Sequence, residues 1–67
     1  MCLSSVYIDS GGGQKQIMSD VARMEAEAEG FLFIDLFGES KFVRGKIKRI
    51  DFIDENAIVL EQDEKED

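Results

Sequence analysis

The chain has 67 residues, 34% of them charged, with one cysteine, no histidine, no proline and a formal charge of −7. That length holds one domain with a modest core, of a size that often needs a disulfide, a metal or a partner subunit for stability. A lone cysteine excludes an internal disulfide, the absence of histidine removes the usual structural zinc sets, and an acidic body is poor material for gripping a phosphate backbone. Oligomerisation is then the expected source of extra stability.

The pattern along the chain is that of strands. Residues 3–8 are rich in β-formers and alternate, ending at Asp9-Ser10-Gly11-Gly12-Gly13, a strong turn signal. Residues 14–18 read as the returning strand, with Ile17 and Met18 as its apolar members. Residues 20–29 fit two templates. Val21, Met24 and Ala28 fall at helical spacing, yet residues 21–27 also alternate. A strand is favoured, because both flanks are β and so short a helix has little support by itself. Gly30 ends the segment either way.

Residues 31–37 form a hydrophobic run of strand length, and Gly38-Glu39-Ser40 reads as a tight turn. Residues 41–53 follow. They are long for one strand, and their inward phase shifts between Ile47 and Ile50, which predicts a bulge or bend near Gly45. Asp54-Glu55-Asn56 is a further turn, and residues 57–60 make the closing strand. Five to six short strands without a long helix predict an all-β fold: a small antiparallel, partly open barrel of SH3-like or Sm-like shape. Two protomers of such a barrel could share a sheet edge or an aromatic patch. The barrel domain is expected over 1–61. Residues 62–67 are expected as an acidic, disordered tail: 61–67 hold five acids and one lysine, which supplies −4 of the charge and leaves −3 elsewhere.

No apolar run approaches the roughly 20 residues that span a bilayer. The opening residues lack a basic region and a long apolar stretch, so no signal peptide and a reducing, cytoplasmic setting are expected.

The inventory for catalysis is thin. Histidine is absent, and nothing in the sequence supplies an activating partner for Cys2, so no enzyme activity is expected. The carboxylates are scattered over turns and outer strand positions, as solvated surface charge. Cys2 offers different chemistry. An α-amine, a backbone amide nitrogen and a thiolate lie within two residues and can close fused five-membered chelate rings. Such a strong-field nitrogen–sulfur set favours square-planar Ni(II) or Cu(II) over tetrahedral Zn(II). With Met1 retained, its amine joins the Cys2 amide and sulfur. With Met1 removed, the Cys2 amine and thiolate form a bidentate pair, and a homodimer could join two such pairs around one metal. The plainer alternative is a small, half-buried Cys2 opening the first strand.

A second constellation is basic. Lys41, Arg44, Lys46, Lys48 and Arg49 crowd into nine positions, with Phe42 and Phe52 among or beside them. This could be a nucleic-acid stripe with aromatic platforms, contacted chiefly through Lys46, Lys48 and Arg49. The plainer alternative is strand alternation, with Asp35, Glu39, Asp51 and Asp54 as cross-strand partners. The order Leu36-Phe37-Gly38, Val43-Arg44-Gly45-Lys46-Ile47, Ile50-Asp51, Asn56 is similar to the first half of an Sm fold, which speaks for barrel shape more than for RNA binding. A third option is an interaction domain whose partner covers Phe31, Phe33 or Phe37.

One family unites these segments. The opening Met1-Cys2-x-Ser4-x-Val6-Tyr7, then Met18-x-Asp20-Val21, Asp35-Leu36-Phe37-Gly38-Glu39-x-Lys41, Val43-x-Gly45-Lys46-Ile47-x-x-Ile50-Asp51 and Ile58-Val59-Leu60-Glu61 resemble the CooT family, in order and over nearly the whole chain. The resemblance implies a small cytoplasmic, homodimeric nickel-binding protein of anaerobic microbes. The family's namesake is an accessory factor in nickel supply to carbon monoxide dehydrogenase. The resemblance also implies that Cys2 is the metal ligand, assisted by backbone nitrogens at Met1 and Cys2, with Ni(II) held for delivery or storage. Relatives described as RNA-binding keep the alternative of an Sm-like RNA module open.

Overall fold

The computed structural model describes residues 3–62. They form β1 (Ser4–Asp9), β2 (Gln14–Ala26), β3 (Gly30–Asp35), β4 (Ser40–Asp51) and β5 (Ala57–Gln62). Among the described residues there is no helix long and apolar enough to cross a membrane.

Each strand pairs with the next in antiparallel fashion, and β5 returns to β1, so the five strands close into a barrel. The closing pair is parallel, with Val6 beside Ile58 and Ile8 beside Leu60. This follows from parity: in a ring of five strands that alternate in direction, the first and last run the same way. The all-β barrel read from the sequence is what forms. Two details differ from the expectation, since the ring is closed instead of partly open, and one of its five pairings is not antiparallel. β1, β3 and β5 have hydrogen-bonded neighbours on both sides. Each half of β2 and of β4 is paired along one side only, so these half-strands keep an open edge of the kind that protomers can share.

Two long strands turn the corners. The first part of β2 pairs with β1, and its second part, from Val21 to Ala26, pairs with β3. Between these parts Asp20 adopts φ 56°, and the register slips between Val21 and Arg23. Likewise β4 pairs with β3 up to Arg44 and with β5 from Gly45 onward. Gly45 has φ 145°, and a Cβ there would lie 2.5 Å from the carbonyl oxygen of Glu61. The bend expected at Gly45 and the phase shift after Ile47 are both present, the latter as a register slip between Ile47 and Arg49. The ambiguous 20–29 segment is strand as far as Ala26.

The core is formed by Val6, Val21, Phe33, Ile58 and Leu60, with Ile8, Ile17, Met18, Met24, Phe31 and Val43 packed around it. β5 is buried on both faces. Ile58 and Leu60 point to the core, while Ala57 and Val59 are also buried on the opposite face, where Val59 registers between Tyr7 and Arg49. This explains why residues 57–60 are apolar without alternation.

Two strand ends fall short of the expected ones. β3 stops at Asp35, leaving Leu36 and Phe37 in a turn, and β4 stops at Asp51, leaving Phe52 and Ile53 beyond it. In each case an aspartate side chain captures turn amides. β5 runs to Gln62, and the expected acidic tail falls, from residue 63 onward, outside the described residues.

Candidate functional site

Met1 and Cys2, the expected metal ligands, lie outside the described residues. What the structure does give is the place where the chain that carries them enters the barrel. Ser4 registers with Val21 of β2, Ser5 registers with Ala57 of β5, and the Ser5 amide donates to the Asn56 carbonyl at 2.9 Å. Val21 in turn registers with Asp35 of β3, and the Leu36 amide donates to the Asp20 carbonyl at 2.9 Å. The start of β1, the corner of β2, the β3–β4 turn and the β4–β5 turn therefore meet at one end of the barrel.

Both turns are built with the same device. In the first, Asp35 Oδ1 accepts the amides of Phe37 and Glu39, each at 2.9 Å, and Gly38 supplies φ 88°. In the second, Asp51 Oδ1 accepts the amides of Ile53 at 2.9 Å and Asp54 at 3.0 Å, and Asn56 takes φ 48° before β5 begins. The amides of Asp54 and then Ile53 hold the Asp51 carboxyl below the usual carboxylate range. So fixed, the turns present apolar side chains to solvent: Leu36 is 58% exposed, Phe37 77%, Phe52 69% and Ile53 87%. Of the aromatic residues considered from sequence as a partner surface, Phe33 is fully buried core and Phe31 packs against that core, so only Phe37 is an open surface residue. Leu36 and Ile53 were not read as surface from the sequence, and Phe52 was considered only as an aromatic platform beside the basic stretch. Their only signal was an aspartate just before an expected turn.

The basic stretch is distributed and largely paired. Lys48 Nζ donates to Asp9 Oδ2 at 2.6 Å, Arg49 Nη1 to Glu55 Oε1 at 3.0 Å, and Arg44 Nη1 lies 3.5 Å from Glu29 Oε1. The hydrogen bond from Lys48, followed by one from the Gly11 amide, keeps the Asp9 carboxyl below its ordinary range, and the same contact raises Lys48. Lys46 registers with Glu61. The carboxylates involved are not those expected, because Asp35 and Asp51 are committed to turn amides. Phe42 registers with Leu32 in the half of β4 before the Gly45 bend, and Phe52 lies past the far end of that strand, so neither stands beside Lys46 and Lys48.

A cleft of about 720 Å³ lies at the opposite end of β5, lined by Ala26, Phe31, Arg44, Lys46, Ile47 and Glu61 among others. Its charges are of both signs, with Arg44 engaged by Glu29. Among the described residues, no group of three or more Cys, Asp or Glu side chains is placed to hold a metal ion.

A family model and a solved structure point to the same family. The family model for CO dehydrogenase accessory protein CooT matches residues 1–61. An uncharacterized protein of Methanocaldococcus jannaschii is 36% identical over 61 residues, which is 91% of this chain and 98% of that protein. A crystal structure from Carboxydothermus hydrogenoformans assigned to CooT superposes with a TM-score of 0.84 at 30% identity, covering 94% of this chain and 100% of the other.

Proposed function

The chain belongs to the CooT family of CO dehydrogenase accessory proteins, and from that membership we propose that it is a cytosolic, homodimeric carrier that holds Ni(II) through Cys2 for delivery or storage. The observation that carries this reading is the span of the match. It begins at residue 1 and so includes the Met1-Cys2 donor set, whose amine, amide and thiolate suit square-planar Ni(II). The metal is cargo in this reading. The residues supply a thiolate and nitrogen donors at a chain end, where a client's ligands can replace them one at a time without opening the core. The thiolate must be deprotonated, so nickel affinity falls as pH is lowered. A lack of histidine and of any activating partner for Cys2 in the sequence supports an accessory role over a catalytic one.

For the homodimer, the outer face of β3 is the surface best suited to a second copy. Two cross-strand rows lie there: Glu25, Leu32 and Phe42, and beside it Arg23, Ile34 and Ser40. Leu32 and Ile34 are half-buried and Phe42 is exposed. The rim is neutral by pairs, with Arg23 Nε 3.2 Å from Glu25 Oε2 and Arg44 engaged by Glu29. An apolar patch with a balanced rim can meet its own image without like-charge repulsion.

The test is a nickel titration of the untagged, reduced protein by absorption spectroscopy with Cys2→Ser alongside. Thiolate charge-transfer bands that saturate in the parent and are absent from the variant support the carrier. Equal affinity in both proteins would remove it.

A further inference from the structure

β4 is left half-paired at the corner where it changes partners. From Gly45 onward it runs beside β5, and from Ser40 to Arg44 it runs beside β3. Among the described residues, no strand pairs with the other side of that first half. In an antiparallel pair, alternate residues turn their amide and carbonyl away from the neighbour. Residues 40–44 therefore offer a short ladder of unused donors and acceptors. An edge of this kind invites strand addition, by another chain or by the same one.

The register of β5 points along this edge. Its last pairs with β4 are Ile47 with Leu60, Lys46 with Glu61 and Gly45 with Gln62, without a slip. From there the sequence continues as Asp63-Glu64-Lys65-Glu66-Asp67. Carried on at the same step, Asp63 falls opposite Arg44, Glu64 opposite Val43, Lys65 opposite Phe42, Glu66 opposite Lys41 and Asp67 opposite Ser40. The charges are complementary at that step. Residues 40–44 hold two cations, Lys41 and Arg44, and no acid, and each cation faces a carboxylate. Arg44 already lies 3.5 Å from Glu29, and its guanidinium has donors to spare for a second carboxylate. Lys65, the one cation among 63–67, falls opposite Phe42, a ring 47% exposed that can take an alkyl stem and an ammonium group. There is also room. The cleft at this corner is bounded by Arg44, Gly45, Lys46, Glu61 and Gln62, so a chain leaving Gln62 along β4 displaces no strand.

We infer that residues 63–67 continue β5 along the free edge of residues 40–44, held by the Arg44–Asp63 and Lys41–Glu66 pairs, and that they guard this edge against strands of other chains. Opposite charges facing across a strand pair favour the pairing, and a covered edge is closed to association. Nothing in this device depends on nickel or on the end of the barrel where β1 begins.

The experiment reads amide hydrogen exchange by NMR on the full-length, reduced chain. Beside it stand a chain that stops at Gln62 and two full-length variants, Lys41→Glu and Lys41→Glu/Glu66→Lys. Alternate amides of residues 40–44 are expected to exchange roughly tenfold or more faster in the shortened chain, and amides within 63–67 to be protected in the parent. Lys41→Glu alone speeds exchange in both segments, and the swapped pair restores it. Cross-strand NOE contacts between residues 63 and 44 and between 66 and 41 report the register in the parent, whatever the shortened chain does. Unprotected exchange throughout 63–67 in the parent, or equal rates at 40–44 with and without these residues, would overturn the inference. Sedimentation on the same samples tests the guarding role. The shortened chain is expected to form larger species at concentrations where the parent does not, and equal size distributions would overturn that role. Protection of 40–44 that survives the shortening and disappears on dilution would assign the edge to another copy of the chain, and would overturn the inference as well.

Discussion

Asp51 and Asp9 do different work with the same functional group. Asp51 collects turn amides, and Asp9 joins the start of the glycine turn to Lys48 on β4. Both carboxyls are held below their ordinary range, Asp51 by amides and Asp9 first by Lys48. A carboxyl with a lowered folded-state pKa binds fewer protons than in the unfolded chain, so its contribution is present above the unfolded value of about 3.9 and is lost as pH falls through the folded value. Lys48 is raised, so its contribution holds below about 10.4 and is lost only as pH climbs through the folded value. The thermal midpoint should therefore fall on acidification below about pH 4. Protonation also relieves the self-repulsion of a chain of charge −7, which opposes that fall. Asp9→Asn separates the two effects. The variant should show a shallower acid limb than the parent, and identical limbs would mean that the Asp9–Lys48 contact contributes nothing.

At the scale of the element, β4 shows what the sequence made legible. Its phase shift after Ile47 and its glycine at position 45 announced a bend, because alternation has to break where a strand leaves one neighbour for another. Gly45→Ala meets both a positive φ and the Glu61 carbonyl, and should destabilise by about 1–3 kcal/mol. Gly12→Ala, with open space and no positive φ, should stay within about 0.5 kcal/mol. Urea unfolding of the two variants checks the contrast, and equal midpoints would show that β4 does not need glycine at its corner. Strand ends were less legible. Leu36, Phe37, Phe52 and Ile53 are good β-formers, and composition carried the strands through them. The deciding factor was the capture of amides by Asp35 and Asp51, a local competition that hydrophobic patterning does not register. The ion pairs were hidden for another reason. Lys48 and Asp9 are 39 residues apart, and they meet only because the ring closes.

Across the whole molecule, closure itself was beyond the reach of local pattern, since the parallel β1–β5 pair depends on strand count and on the two ends of the chain finding each other. The candidate site divided in the same way. The donor chemistry of Cys2 could be read from three donor atoms within two residues, whereas the apolar end around the start of β1 needed four elements to assemble. Two apolar surfaces result: one beside Phe42 with the Arg23–Glu25 and Arg44–Glu29 pairs at its rim, and one beside Phe37 and Phe52 where acids predominate and Glu55 is paired with Arg49. Phe42→Glu should therefore yield a folded monomer in sedimentation. A variant that stays dimeric would move the dimer contact away from the outer face of β3.

The central claim is that Cys2 makes this chain a nickel carrier, and a nickel titration of the reduced protein beside Cys2→Ser tests it most directly. The account predicts thiolate-to-nickel charge-transfer bands with a square-planar d–d band, saturating at a defined ratio of nickel to chain, and absent in a folded Cys2→Ser protein. Parental affinity and spectrum in Cys2→Ser, or no nickel binding by either protein, would contradict it.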